Sequence, residues 1–188
     1  MTTQMQTETL NGIDVAALQK AIDAVTADPD AGQTRWSVTS RWQDGTRTDH
    51  FVKGFQMGGE KIERQFKIEV DEPHELCGSN EFANPQEYLL AATNACMMVG
   101  YTALAALMGI RLTQLELELE GDIDLRGFLG IDSEVPNGYE RLHCRVQIAG
   151  DATEEQFEQL HEMVQRTSPN YYNISRPVEL SSELIVAV

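Results

Sequence analysis

A mixed helix-and-sheet fold is what this sequence predicts, and three observations carry it. Residues 34–72 alternate apolar and polar with a period of two. Residues 84–109 form one long, apolar helical run with a marked start. A second alternating stretch over 115–148 then leads into an amphipathic helical pattern. The chain has 188 residues, 41% hydrophobic and 23% charged, enough to bury a core as one compact domain. Asp+Glu number 30 against 14 Lys+Arg, a formal charge of −16 with a pI near 4.5. That charge repels phosphate backbones and anionic lipid, so neither nucleic acid nor membrane is expected as a partner. No stretch approaches the roughly 20 uninterrupted apolar residues that cross a bilayer. The start, Met1-Thr2-Thr3-Gln4, lacks the basic-then-apolar layout of a secretory leader, and a cytoplasmic protein is expected.

Residues 1–33 read as a tail and an appended helix: Asp14 is placed to cap it, Val15, Leu18, Ile22 and Val25 recur at helical spacing, and Asp28-Pro29-Asp30-Ala31-Gly32 stops it. The main domain is expected over 34–188. Trp36, Val38 and Trp42 share one face of a strand, Asp44-Gly45 signals a turn, and Phe66, Ile68 and Val70 alternate in a later strand, giving an antiparallel region. Asp71 to Ala83, with Pro73, Gly78 and Asn80, is a loop.

The helix over 84–109 has the best-marked start in the chain. Asn84 is a favourable N-cap, Pro85 suits the first helical position, and Glu87 falls three residues after the cap, where its carboxylate reaches back in a capping box. From Leu89 to Met108 the side chains are apolar or small nearly all the way round, which predicts a buried helix about 37 Å long. Leu115, Leu117, Leu119, Ile123 and Leu125 then alternate with carboxylates in a strand. Its partner, with Leu142, Cys144, Val146 and Ile148 inward, sets Arg141, His143 and Arg145 outward opposite those carboxylates as cross-strand pairs. A long glycine-containing connection, 125–138, joins the two. Thr153 caps the second helix with Gln156 at the box position and Phe157, Leu160, Met163 and Val164 inward; Ser168-Pro169 ends it, and Val178 to Val188 reads as a final strand.

Three cysteines, Cys77, Cys96 and Cys144, are an odd number without framework spacing, which suits thiols in a reducing compartment. Cys96, in the interior helix among small residues, is the leading reactive candidate, with an inert core thiol as the alternative. It lies 12 positions past Asn84, about 18 Å along the axis, beyond the reach of the helix dipole. Any stabilisation of its thiolate must therefore come from a cation or donor brought in by tertiary or quaternary structure. Cys144 reads as core. Asp71, Glu72, His74, Glu75 and Cys77 cluster in sequence, but their spacing matches no tetrahedral zinc pattern, and no metal or other cofactor is expected. His50, His143 and His161 are isolated; Tyr171 and Tyr172 either line a pocket or belong to the core.

The run Asn84-Pro85-Gln86-Glu87-Tyr88-Leu89-Leu90-Ala91-Ala92-Thr93-Asn94-Ala95-Cys96-Met97 resembles the cysteine-bearing helix of the OsmC/Ohr family, the osmotically induced and organic-hydroperoxide-resistance proteins. Ser168-Pro169, Arg176-Pro177-Val178-Glu179-Leu180 and Asp124-Leu125-Arg126-Gly127-Phe128-Leu129-Gly130 extend the resemblance over residues 34–188. It implies an α+β fold in which antiparallel sheets wrap long central helices in an intertwined homodimer, with the thiol sites at the interface.

It also implies thiol-dependent reduction of apolar organic hydroperoxides in oxidative-stress defence, with Cys96 as the peroxidatic residue and a second cysteine that resolves its sulfenic acid to a disulfide; in this chain an external thiol or Cys77 is expected as the reductant. Arg47, or Arg41 as the fallback, matches the arginine that stabilises the thiolate. This chain departs from the family twice. Gln86 stands where the peroxidase branches carry a glutamate, leaving Glu87 as the nearest carboxylate, and Ser168 stands at the resolving cysteine. Cys77 is a possible surrogate resolving thiol, the alternative being a loop cysteine packed against the sheet. The competing reading is a non-catalytic protein holding an apolar or acyl ligand at the dimer interface.

Overall fold

The computed structural model describes residues 9–187; the first part of the expected tail and Val188 lie outside the described residues. The chain opens with a two-residue hairpin, β1 (Thr9–Leu10) and β2 (Ile13–Asp14), and a helix, α1 (Val15–Ala27), whose first turn Asp14 caps through the amide of Ala17. This segment is tied into the domain: Asn11 Nδ2 donates to the Ile110 carbonyl at 2.8 Å and Asn11 Oδ1 accepts from the Leu112 amide at 2.9 Å.

Next come β3 (Thr34–Trp36), β4 (Thr39–Asp44), β5 (Arg47–Met57) and β6 (Glu60–Val70), all antiparallel, with β5 pairing with the other three. Gly58 and Gly59, with φ of 55° and 81°, make the β5–β6 turn, a left-handed pair that matches the twist of a hairpin and that glycine adopts without steric cost. A Cβ at Gly54 would come within 2.4 Å of the Ile62 carbonyl oxygen, where the β5–β6 register shifts.

Helix α2 (Pro85–Leu107) has both halves of its capping box: Asn84 Oδ1 accepts from the Glu87 amide and Glu87 Oε2 accepts from the Asn84 amide, each at 2.8 Å. Strand β7 (Leu112–Glu120) follows, then the single turn α3 (Leu125–Phe128), strand β8 (His143–Gly150), and helices α4 (Glu154–Thr167) and α5 (Pro169–Ser175). Strands β7 and β8 form a two-stranded antiparallel sheet, with Glu118 opposite Arg145 and joined to it at 3.1 Å, so at this position the carboxylate face is paired as expected. Helix α4 has the expected Thr153–Gln156 box. The core lies where α2, α4 and the β7–β8 sheet meet: Met97, Tyr101, Ala105, Ile110, Leu117, Leu160 and Val164. The architecture is α+β.

Four expectations are corrected. The strand read through Leu125 ends at Glu120, because the Asp124 carboxylate accepts from the Arg126 amide and turns the chain into α3. Helix α2 is buried on one face only, through Thr93, Met97, Tyr101, Ala105 and Ala106, while Leu89, Ala92, Ala95 and Val99 are exposed. The same helix is long and apolar enough to cross a membrane by length and composition, because single Thr and Asn residues interrupt its run without making it polar. It packs instead against α4, α5 and β7. Finally, residues 176–187 form no strand: among the described residues they pair with no sheet edge, and Leu180, Leu184, Ile185 and Val186 are exposed. A strand is completed only by a hydrogen-bonding neighbour, and alternation alone does not supply one.

Candidate functional site

Helix α2 carries Cys96 on the flank between its buried and open faces, half exposed. The chain returns to it from a distance. Ser168 ends α4 and caps α5, and this junction is set down on α2 by Asn170, whose Nδ2 donates to the Ala92 carbonyl at 2.9 Å, one turn before Cys96. Ser168 is 4% exposed; its Oγ donates to Cys96 Sγ at 3.3 Å and accepts from the Tyr171 amide at 3.4 Å. Ser-Pro is legible in the sequence as a helix stop, whereas Asn170 carried no signal beyond its place after that pair.

A cavity of about 660 Å³ opens beside this junction, with Leu89, Thr93, Met97, Leu119, Tyr171 and Ile174 in its wall. Gln86 also lines it, with a neutral side-chain amide. Glu87 is engaged by the Asn84 amide in the capping box.

Arg47 lies elsewhere in its own chain. Its guanidinium pairs with Glu69 at 2.5 Å and Glu81 at 3.5 Å and covers the ring of Phe82 at 4.5 Å. The Glu69 carbonyl accepts from Tyr88, which places this group near the start of α2, eight residues and about 12 Å along the axis from Cys96. Arg41 sits over the Phe51 ring at 5.5 Å. Among the described residues, the hydrogen-bond partner of the Cys96 sulfur is Ser168.

All three cysteines are free thiols. Cys77 is exposed in the loop before α2, at a left-handed backbone position with φ of 67°. Cys144 lines the 660 Å³ cavity and also a second one, about 540 Å³, with Tyr101, Phe157 and His161, and burial pushes its thiol up, away from reactivity. Burial likewise pushes the Tyr101 phenol well above the usual tyrosine range, and its hydroxyl bonds His161 Nδ1, whose Nε2 meets Gln165 at 3.0 Å. His161 is thus fastened to the core, while His50 bonds Ser40 and Thr48. Tyr171 packs against the core, whereas Tyr172 is exposed, with Arg176 over its ring at 4.7 Å.

The acidic loop has a structural task. Asp71, 1% exposed, accepts from Thr46 Oγ1 at 2.7 Å, Ser79 N at 2.8 Å and Ser79 Oγ at 2.5 Å, and these bonds hold its carboxyl far below the usual aspartate range. Its neighbour Glu72 is pushed the other way, chiefly by burial. Among the described residues no group of His, Cys, Asp and Glu is arranged to hold a metal ion.

A family model described as OsmC-like protein matches residues 78–183, more than half of the chain and including α2, Cys96 and Ser168. The chain belongs to the OsmC-like family. Solved structures agree on the fold. An OsmC-like protein from Mycoplasma pneumoniae superposes with a TM-score of 0.59 at 15% identity, covering 75% of this chain and 87% of that one. An OsmC-like protein of unknown function from Vibrio cholerae superposes with a TM-score of 0.53 at 16% identity, covering 73% and 92%. No curated protein sequence matches this OsmC-like chain.

Proposed function

We propose that this OsmC-like protein reduces organic hydroperoxides through Cys96. The observation that carries the reading is the hydrogen bond from buried Ser168 to the half-exposed Cys96 sulfur, on the helix whose Leu89, Thr93 and Met97 line the 660 Å³ cavity. A thiolate is the attacking species, and a fixed hydroxyl donor favours it over the neutral thiol. Its sulfur attacks the distal peroxide oxygen and takes it as OH, the O–O bond breaks, and the alkoxide takes up from solvent the equivalent of the proton that the thiol released on ionising and leaves as the alcohol, while Cys96 becomes a sulfenic acid. The apolar walls of Leu89, Met97, Leu119 and Ile174 suit the hydrocarbon part of the substrate. Cytoplasmic residence, where thiols stay reduced, belongs to the same reading.

The working form in this reading is a homodimer. The open face of α2, with Leu89 and Val99, the exposed Trp36, Val38, Trp42 and Phe66 of the first sheet segment, and the exposed apolar side chains of the tail are large hydrophobic groups left uncovered in the single chain. A second copy would cover them, and Ala92 and Ala95 would let two α2 helices approach closely. Arg47 of the partner subunit is then the proposed cation at the thiol, because this chain's own Arg47 lies about two turns away along α2.

Cumene hydroperoxide added to the reduced protein, with dimedone trapping read by mass spectrometry, tests the chemistry. A dimedone adduct on Cys96, lost in Cys96→Ser, is expected. An unmodified Cys96 under modest peroxide excess defeats the reading and favours the second one, an apolar or acyl ligand held without chemistry, for which the 660 Å³ cavity provides space.

A further inference from the structure

The bond between Ser168 and Cys96 has the hydroxyl as its donor, and it depends on the charge state of the sulfur. A serine hydroxyl has one hydrogen and two lone pairs. Here one lone pair is committed to the Tyr171 amide as the N-cap of α5, and the hydrogen is directed at Cys96 Sγ. A neutral thiol could donate to Ser168 in return, whereas a thiolate or a sulfenate can only accept. Ser168 therefore interacts most strongly with the deprotonated and oxidised forms of Cys96. Its place is held on both sides, by the Asn170 bond to the Ala92 carbonyl and by the Ser168 amide donating to the Val164 carbonyl at 2.9 Å.

We infer that Ser168 is a positioning residue that holds Cys96 as thiolate and then keeps its oxidised product as a sulfenic acid, so that turnover is completed by a small soluble thiol. The inference rests on the hydroperoxide reading above for its second half only. A hydroxyl oxygen forms no disulfide, and the Cys144 thiol, which lines both cavities, is pushed up by burial and so made a poorer partner for the oxidised Cys96. The external thiol attacks the sulfenic sulfur, forms a mixed disulfide and releases water. A second thiol attacks that disulfide, restores Cys96 as thiol and leaves as the symmetrical disulfide.

Four substitutions at one position separate the roles. Ser168→Thr keeps the donor and the cap; Ser168→Asp keeps the cap acceptor, has no hydrogen to donate when ionised and adds a negative charge; Ser168→Ala removes both; Ser168→Cys supplies a sulfur. The first readout is Cys96 alkylation by iodoacetamide at neutral pH, which requires no peroxidase activity. Ser168→Thr is expected to stay within about twofold of the natural protein, and Ser168→Asp and Ser168→Ala to fall about tenfold, the usual worth of a bond to a charged acceptor. Equal rates in Ser168→Asp and the natural protein would overturn the positioning role. The second readout is the product of one equivalent of cumene hydroperoxide. The natural protein should yield a dimedone-reactive sulfenic acid at Cys96, and Ser168→Cys a disulfide between position 168 and Cys96. A disulfide from Cys96 to Cys77 in the natural protein would overturn turnover by a soluble thiol. Slowed alkylation in Ser168→Asp, with no oxidation of the natural protein by peroxide, would sink the hydroperoxide reading and the external-thiol step while leaving the positioning role standing.

Discussion

The two halves of this chain are patterned alike and packed differently. On the C-terminal side, α2, α4 and the β7–β8 sheet bring their apolar faces together, and Leu160 and Val164 are 0% exposed. On the N-terminal side, β3 to β6 carry an equally regular alternation, yet Trp36 is 60% and Trp42 70% exposed. Within that sheet the aromatic side chains cover one another: Trp36 stacks on Phe55 with centroids 4.5 Å apart, and Arg64 lies over Trp36, Phe55 and Phe66 at 5.1 to 5.5 Å. Such contacts at exposed sites contribute about 0.5–1 kcal/mol each, less than full burial of one large apolar side chain. A period-two or period-3.6 pattern announces that a face wants cover. It does not say whether the cover comes from the same chain.

The largest test of that contrast is in the packed half. Leu160→Ala should lower stability by about 2–5 kcal/mol, read as a shift of the urea midpoint, since the site is enclosed and would keep a cavity. A loss under about 1 kcal/mol would mean that the packed half is no tighter than the open one. The open half should respond in assembly instead. Trp42→Glu should weaken the proposed dimer at least tenfold, as removal of a buried aromatic anchor does, and sedimentation velocity across a dilution series would show the mass falling towards 21.0 kDa. An unchanged mass distribution would remove the second copy as the cover for this sheet.

A smaller effect is expected at the hinge between the halves, where Asp71 joins Thr46 of the β4–β5 turn to Ser79 of the loop leading to α2. Its carboxyl is held below the ordinary aspartate value of 3.8, so its stabilising contribution is complete above about pH 4 and is lost as pH falls through the lowered folded-state value. Asp71→Asn should lower the urea midpoint at pH 7 and leave the two proteins closer together at pH 2.5. A gap that stays constant between those pH values would mean that the charged form is not what the hinge holds.

What the sequence determined by itself is what lies within a few residues of its cause. Asn84 with Glu87 and Thr153 with Gln156 start their helices, Asp14 starts α1, and Ser168-Pro169 ends α4, because each of these interactions closes a loop of three or four residues that no tertiary rearrangement need bring about. Strand alternation was legible for the same reason, and with it Glu118 opposite Arg145. The site was legible only in part. Cys96 stood out by its helix and its family likeness, but its partner Ser168 is 72 residues away, the Tyr101–His161 pair spans 60 residues and the Asn11–Ile110 clamp 99. Such pairings depend on how helices pack and where strands end, which local propensity does not encode. Only the tertiary structure decided that Arg47 is held by Glu69 near the start of α2, that α2 is covered on one face, and that the alternating tail after Arg176 pairs with no strand among the described residues. A face, a strand or a thiol acquires its role from what stands opposite it, and for each of these that is a matter of three dimensions.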